Sequence, residues 1–236
     1  MRKSYASYLN PEKKYSEMAP NIMLASFVVW VCVFGCMLFP LFGFILSFFV
    51  SCFLCIGFKN IVLQSLRNKN IEVENVFSYY KNCISAFCLG ICSIVLIAIW
   101  SVAFVIPGIV AGLNYTFAPY IFAENPKIGT IKCLEKSKEL TQGHRGELFI
   151  LYLIQVLFIT LSVVFLCSLM VILNFIVSVP LWIHILVPII GTLFLYFVVI
   201  YPYFQIFVGN LYLSLFPVTK QKKLTSPNKS VTKVVD

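Results

Sequence analysis

A chain of 236 residues in which 60% are hydrophobic and 11% charged, with a mean hydropathy of +0.93, is too apolar for a soluble domain. In soluble domains about a quarter of residues carry charge. Eighteen Lys and Arg against nine Asp and Glu leave a formal charge of +9, but no charge falls between Glu17 and Lys59, Lys81 and Glu124, or Glu147 and Lys220. The positive balance therefore reads as loop charge around membrane spans, not as a nucleic-acid surface.

Residues 1–20 form a polar segment with Tyr5, Tyr8 and Tyr15, read either as a short surface helix interrupted at Pro11 or as a frayed tail. It lacks the short apolar core and small-residue cleavage pattern of a secretory signal, so the first span is expected to stay as an anchor. A helix needs about 20 apolar residues to cross hydrocarbon, and the first charge-free block is near twice that length. It predicts spans over 21–39 and 42–62 with a turn near Pro40 to Gly43. The second block predicts spans over 84–106 and 108–123, turning at Pro107-Gly108.

Between the second and third blocks, Asn125-Pro126 predicts a helix start, with Asn as cap and Pro at the first helical position. The helix runs through "KIGTIKCLEKSKELTQ" to Gly143, which suits the left-handed conformation that ends helices. Ile128, Ile131 and Leu134, spaced by three, predict an amphipathic helix lying on the membrane surface. The third block predicts spans over 147–173 and 185–212, with Asn174 to His184 as an interfacial connection. The tail, 217–236, is rich in Lys, Ser and Thr and predicts a disordered basic segment drawn to anionic lipid.

The result is an all-α polytopic membrane protein: six spans over 21–216, in three hairpins separated by amphipathic connectors. Lys and Arg concentrate in cytoplasmic loops. The N-terminal segment, the connector with Lys59, Arg67, Lys69 and Lys81, the connector with Lys127, Lys132, Lys136, Lys138 and Arg145, and the tail are all basic-rich. All four are expected on the cytoplasmic side of the cytoplasmic membrane, termini included. The nine cysteines fall mostly in spans, and Cys133 in a reducing compartment, so no disulfides are expected. Cys52-x-x-Cys55, Cys32/Cys36 and Cys88/Cys92 read as small packing residues, with no metal or cofactor implied. Pro107, Pro119, Pro188 and Pro202 predict bends packed against protein. "APYIF" (118–122) and "YPYFQIF" (201–207) share a Pro-Tyr pair late in a hairpin, a feature open to reading as an internal repeat or as coincidence.

His144-Arg145-Gly146 matches the His-Arg-Gly triplet at the active site of soluble glycerophosphodiester phosphodiesterases. Such chemistry needs carboxylates around a divalent metal and a further acid or base. After Glu147 the next acidic residue is Asp236, and the other histidine, His184, is expected at the opposite membrane face. The triplet therefore reads as a helix boundary, and no catalytic residue is assigned. Asn114, Gln155, Asn174, Gln205 and Asn210 are the polar side chains near or within spans, read as interhelical hydrogen-bonders or as the lining of a path.

From Trp100 to Phe149 the pattern "W…IPGI…Y…A.YI.AENP.I…I..SKEL..GHR..LF" resembles a bacterial family of integral membrane proteins catalogued as domain of unknown function 975. It is similar more distantly to the membrane domain attached to some glycerophosphodiester phosphodiesterases. The positions that carry the resemblance include Pro107, Gly108, Tyr115, Tyr120, Glu124, Asn125, Pro126, Ser137, Gly143 and His144, with Pro202 and Tyr203 in "YPYFQIFVGNLYLSL". The chain departs from the family at Thr141, Gly146 and Gln155. The resemblance implies a polytopic fold and a structural or interaction role for these residues. The leading expectation is a non-enzymatic membrane component that organises lipid or partner proteins. A small transporter or permease is the alternative, and a membrane phosphodiesterase the least favoured reading.

Overall fold

The structure, a computed structural model, describes residues 12–37, 42–67, 73–176 and 180–216. The expectations for the extreme N-terminus, the turn before Phe42 and the basic tail lie outside these residues. Among the described residues the chain is all-helical, and six helical stretches are long and apolar enough to cross a membrane.

Helices α1 (Glu12–Met37) and α2 (Gly43–Leu66) pack as the first hairpin. A 3-10 segment, Val73–Asn82, then leads into α3 (Cys83–Ala103). Its backbone lies directly on α2, since a Cβ at Gly57 would stand 1.9 Å from the Val76 carbonyl oxygen. Only glycine permits that approach. Phe104 is extended and turns the chain into α4 (Val105–Asn114), three residues before the expected turn, so Pro107 falls in the first turn of α4, where its missing N–H is harmless. A Cβ at Gly108 would lie 2.8 Å from the Ser101 Cα, so this glycine lets α4 close against α3.

The fourth span is interrupted. Helix α4 ends at Asn114, Tyr115 to Phe117 form a turn, and α5 (Ala118–Glu124) resumes with Pro119 in its first turn. Pro126–Ile128 is a 3-10 turn where the α-helix was expected to begin, and Asn125 makes no side-chain cap. The helix proper, α6 (Thr130–Thr141), starts after Gly129, whose φ of 83° and ψ of 151° are accessible essentially to glycine alone. Gly143 has φ 86° and ends the turn as expected. Helix α7 (Arg145–Ile176) forms the fifth span.

The sixth span joins α8 (Leu181–Leu195), a π-helical turn (Tyr196–Ile200) and α9 (Tyr201–Leu215). His184 thus sits in the first turn of α8 and not in a connection. Pro188 and Pro202 are buried and Pro107 and Pro119 half-buried, so all four pack against protein, but Pro107, Pro119 and Pro202 stand in the first turns of helices and only Pro188 lies inside one.

The core forms where α2, α5 and α9 meet, around Leu54, Phe58, Ile61, Tyr120, Phe122 and Tyr212. Away from it, the α3–α4 and α7–α8 hairpins present apolar side chains almost all round. Val102 is 88% exposed, and Phe104, Ile106, Phe158 and Phe165 are exposed with it. Surface of that extent is untenable in water and is what a lipid-facing helix presents.

Candidate functional site

Two irregular stretches of backbone lie within spans, and each is completed by hydroxyls from another helix. In the π turn the Tyr201 N–H donates to the Tyr196 carbonyl, five residues back. The next bond in that register would run from residue 202 to the Phe197 carbonyl, but Pro202 has no N–H. Ser26 of α1 donates its hydroxyl to that same carbonyl.

At the break in the fourth span, the Ala118 N–H turns to Tyr115, leaving the Asn114 carbonyl without its helical donor. The Ser137 hydroxyl donates to that carbonyl at 2.6 Å, while Thr141 Oγ1, which donates to the Ser137 carbonyl at 2.7 Å, lies 3.4 Å from the Asn114 oxygen. Ser137 Oγ also accepts the Phe117 N–H at 3.2 Å. Arg145, opening α7, donates from Nε to Asn114 Oδ1 at 3.0 Å, and Tyr152 Oη lies 3.3 Å from Thr116 Oγ1.

Helix α6 is therefore docked into the break and does not lie flat on a surface. Its buried face is Cys133, Leu134, Ser137 and Thr141, whereas Ile131, expected on the apolar face, is 70% exposed. Burial pushes the Cys133 thiol up to about 11, so it stays protonated at neutral pH.

A second cluster lies deeper in the core. Lys59, grouped by sequence with a connector, sits seven residues before the end of α2 and is only 6% exposed. Its amine donates to Gln205 Oε1 of α9, which also accepts the Tyr120 hydroxyl at 2.8 Å. The Tyr120 hydroxyl lies 3.2 Å from the Gln205 carbonyl as well. Lys59 Nζ stands 4.9 Å from the Tyr120 ring centroid and 5.4 Å from that of Tyr201, where the negative ring faces attract a cation. Among the described residues no carboxylate lies within ion-pair distance of Lys59.

One helical turn beyond Tyr120, Glu124 pairs with Arg67, the residue that caps α2, and accepts the Tyr212 hydroxyl at 2.8 Å. Tyr79 donates to the neighbouring Ala123 carbonyl. Tyr120 and Tyr212 stack at 5.5 Å, so the Lys59 and Arg67 clusters form one continuous polar seam between α2, α5 and α9.

The structure thus gathers Tyr120 and Glu124 on the seam and brings Ser137 to the break. Gly143 and His144 lie in the turn before α7, where His144 Nδ1 is 3.3 Å from Glu147 Oε2. Tyr115 is half-buried beside α6, and Pro107 and Gly108 belong to the α3–α4 turn. Pro119 and Pro202 each stand at the second residue of a helix that restarts after irregular backbone. Their following tyrosines differ, with Tyr120 buried and Tyr203 exposed. Sequence reasoning missed Lys59, Arg67, Tyr201 and Tyr212; the available signal was the apolar run on both sides of Lys59 in "CIGFKNIVL".

No family model, no curated protein and no solved structure matches this chain. Among the described residues, no three His, Cys, Asp or Glu side chains are grouped to hold a metal ion.

The seam makes a thermodynamic prediction. Gln205→Leu strands the buried Lys59 amine, and we expect it to lower stability in detergent by about 2–3 kcal/mol. Adding Lys59→Met to Gln205→Leu should recover most of that loss, because the buried amine is gone and the Tyr120 hydroxyl keeps the backbone carbonyl of residue 205 at 3.2 Å. A double-mutant cycle read by unfolding midpoint checks this; effects additive within about 0.5 kcal/mol would contradict the pairing.

Proposed function

We propose that this chain is a non-enzymatic component of the cytoplasmic membrane, with both termini on the cytoplasmic side, that organises lipid through the connector built around α6. The single observation that carries the reading is the two-sided character of that connector. One face of α6 is held in the broken span by Ser137, Thr141 and the Asn114–Arg145 contact, while Lys127, Lys132 and Lys138 remain exposed. Glu135 and Glu139 are exposed beside these three lysines, so the outer face keeps a small positive excess, and each lysine near the surface favours anionic headgroups by about 1 kcal/mol. Six helical stretches long and apolar enough to cross a membrane support the polytopic class. Arg145 of the His-Arg-Gly triplet is engaged by Asn114, which favours a structural role over hydrolysis.

A second reading, a small permease, is favoured by one observation: a buried lysine and an interrupted helix within spans are features of substrate paths. It requires saturable flux into reconstituted vesicles that disappears in Lys59→Met. Equal background flux with and without the protein would remove it.

The orientation is checked with His144→Cys in a background lacking the native cysteines. A membrane-impermeant thiol reagent should leave position 144 unlabelled in intact cells and label it after lysis. Labelling in intact cells would place the cationic face outside and end the lipid-organising reading as stated.

A further inference from the structure

Beside α6 lies an open groove of about 490 Å³, a volume within the range of small-molecule sites. Its walls are unlike. One is the apolar surface of α3, contributed by Ile91, Val95 and Leu96; the other is α6, contributed by Ile131 and Leu134, with Tyr115 from the broken span between them. Glu135 and Lys138 form the polar part of the lining, both exposed. Neither is ion-paired to another side chain among the described residues.

We propose that this groove holds an acyl chain of a membrane phospholipid whose phosphate is bound by Lys138. The inference rests on the lipid-organising reading and deepens it to one site. Three observations select this occupant. The α3 wall belongs to a candidate span whose neighbouring residues Ile94 and Ile99 are also exposed, so lipid tails already bathe one side of the groove. Ile131 is 70% exposed on a helix otherwise rich in charge, and an acyl chain lying in the groove covers it. Lys138 and Glu135 sit one helical turn apart on the α6 wall, complementary to a phosphate and, where the headgroup carries one, an ammonium.

The test uses the full chain, reconstituted in nanodiscs of phosphatidylethanolamine or phosphatidylglycerol, extracted in mild detergent and weighed by native mass spectrometry. Wild type should retain phospholipid. Val95→Trp, which fills the groove, and Lys138→Glu, which inverts the charge at an exposed site, should each reduce retention about tenfold. Lys81→Glu, the same charge reversal at an exposed lysine of the 3-10 segment outside the groove, should retain lipid as wild type does. Retention of both headgroups supports phosphate as the recognised group; retention of phosphatidylethanolamine alone supports it with Glu135 accepting from the ammonium. Undiminished retention in Lys138→Glu, or a protein chain retained in place of lipid, overturns the site. Because position 144 reports the orientation separately, loss of the groove with an inward-facing connector leaves the broader reading standing. Outward labelling overturns that reading whatever the groove binds.

Discussion

A backbone carbonyl released within a membrane domain has no bulk water to bond, and leaving it unpaired costs several kcal/mol. This constraint organises the structure more than any other. Near Pro202 and near Pro119 the chain departs from α-helical bonding, and at each place a hydroxyl from a distant segment supplies the missing donor: Ser26 at one, Ser137 at the other. The second case has the larger consequence. It pulls a connector helix against the fourth span, aligns Arg145 with Asn114, and so sets where α7 begins. It also leaves the lysine-bearing side of α6 facing outward and forms the groove against α3.

The same economy governs the charges. Lys59 and Arg67 are carried into the packed region by α2 and meet partners from α5 and α9, not from neighbouring residues in sequence. Truncating one partner of such a pair destabilises far more than replacing both, so the seam constrains α2, α5 and α9 as a unit. Gly209 serves that packing from the other direction: a Cβ there would lie 2.9 Å from the Leu66 side chain and 3.0 Å from that of Val62, so glycine lets α9 close on α2. The lipid-facing hairpins have no comparable restraint and need little beyond apolar surface and length.

That division explains what was legible in the sequence. Span number and class follow from composition, because long charge-free apolar blocks have few alternatives; the expected spans 84–106 and 147–173 lie close to α3 and α7. The interruption in 108–123 was not legible beyond a bend at Pro119, since "LNYTFAPY" carries no charge and the departure from helix depends on a hydroxyl some twenty residues away. The buried face of α6 was misassigned at Ile131, though not at Leu134, for the same physical reason. A search for apolar periodicity selects Ile128, Ile131 and Leu134, but the partner is unpaired backbone, and the residue that satisfies it is Ser137. Lys59 was misplaced because positive charge usually marks a loop, and only its distant partner Gln205 makes burial tolerable.

The most direct test of this account is amide hydrogen exchange at Phe117 in nanodiscs, comparing wild type with Ser137→Ala. The account predicts that the Phe117 amide is protected in wild type and loses protection in the variant, together with its neighbours in the turn and the amides of α6, while α1 and α2 are unchanged. Equal protection of Phe117 in the two proteins would contradict it, since the break would then be closed without the connector helix.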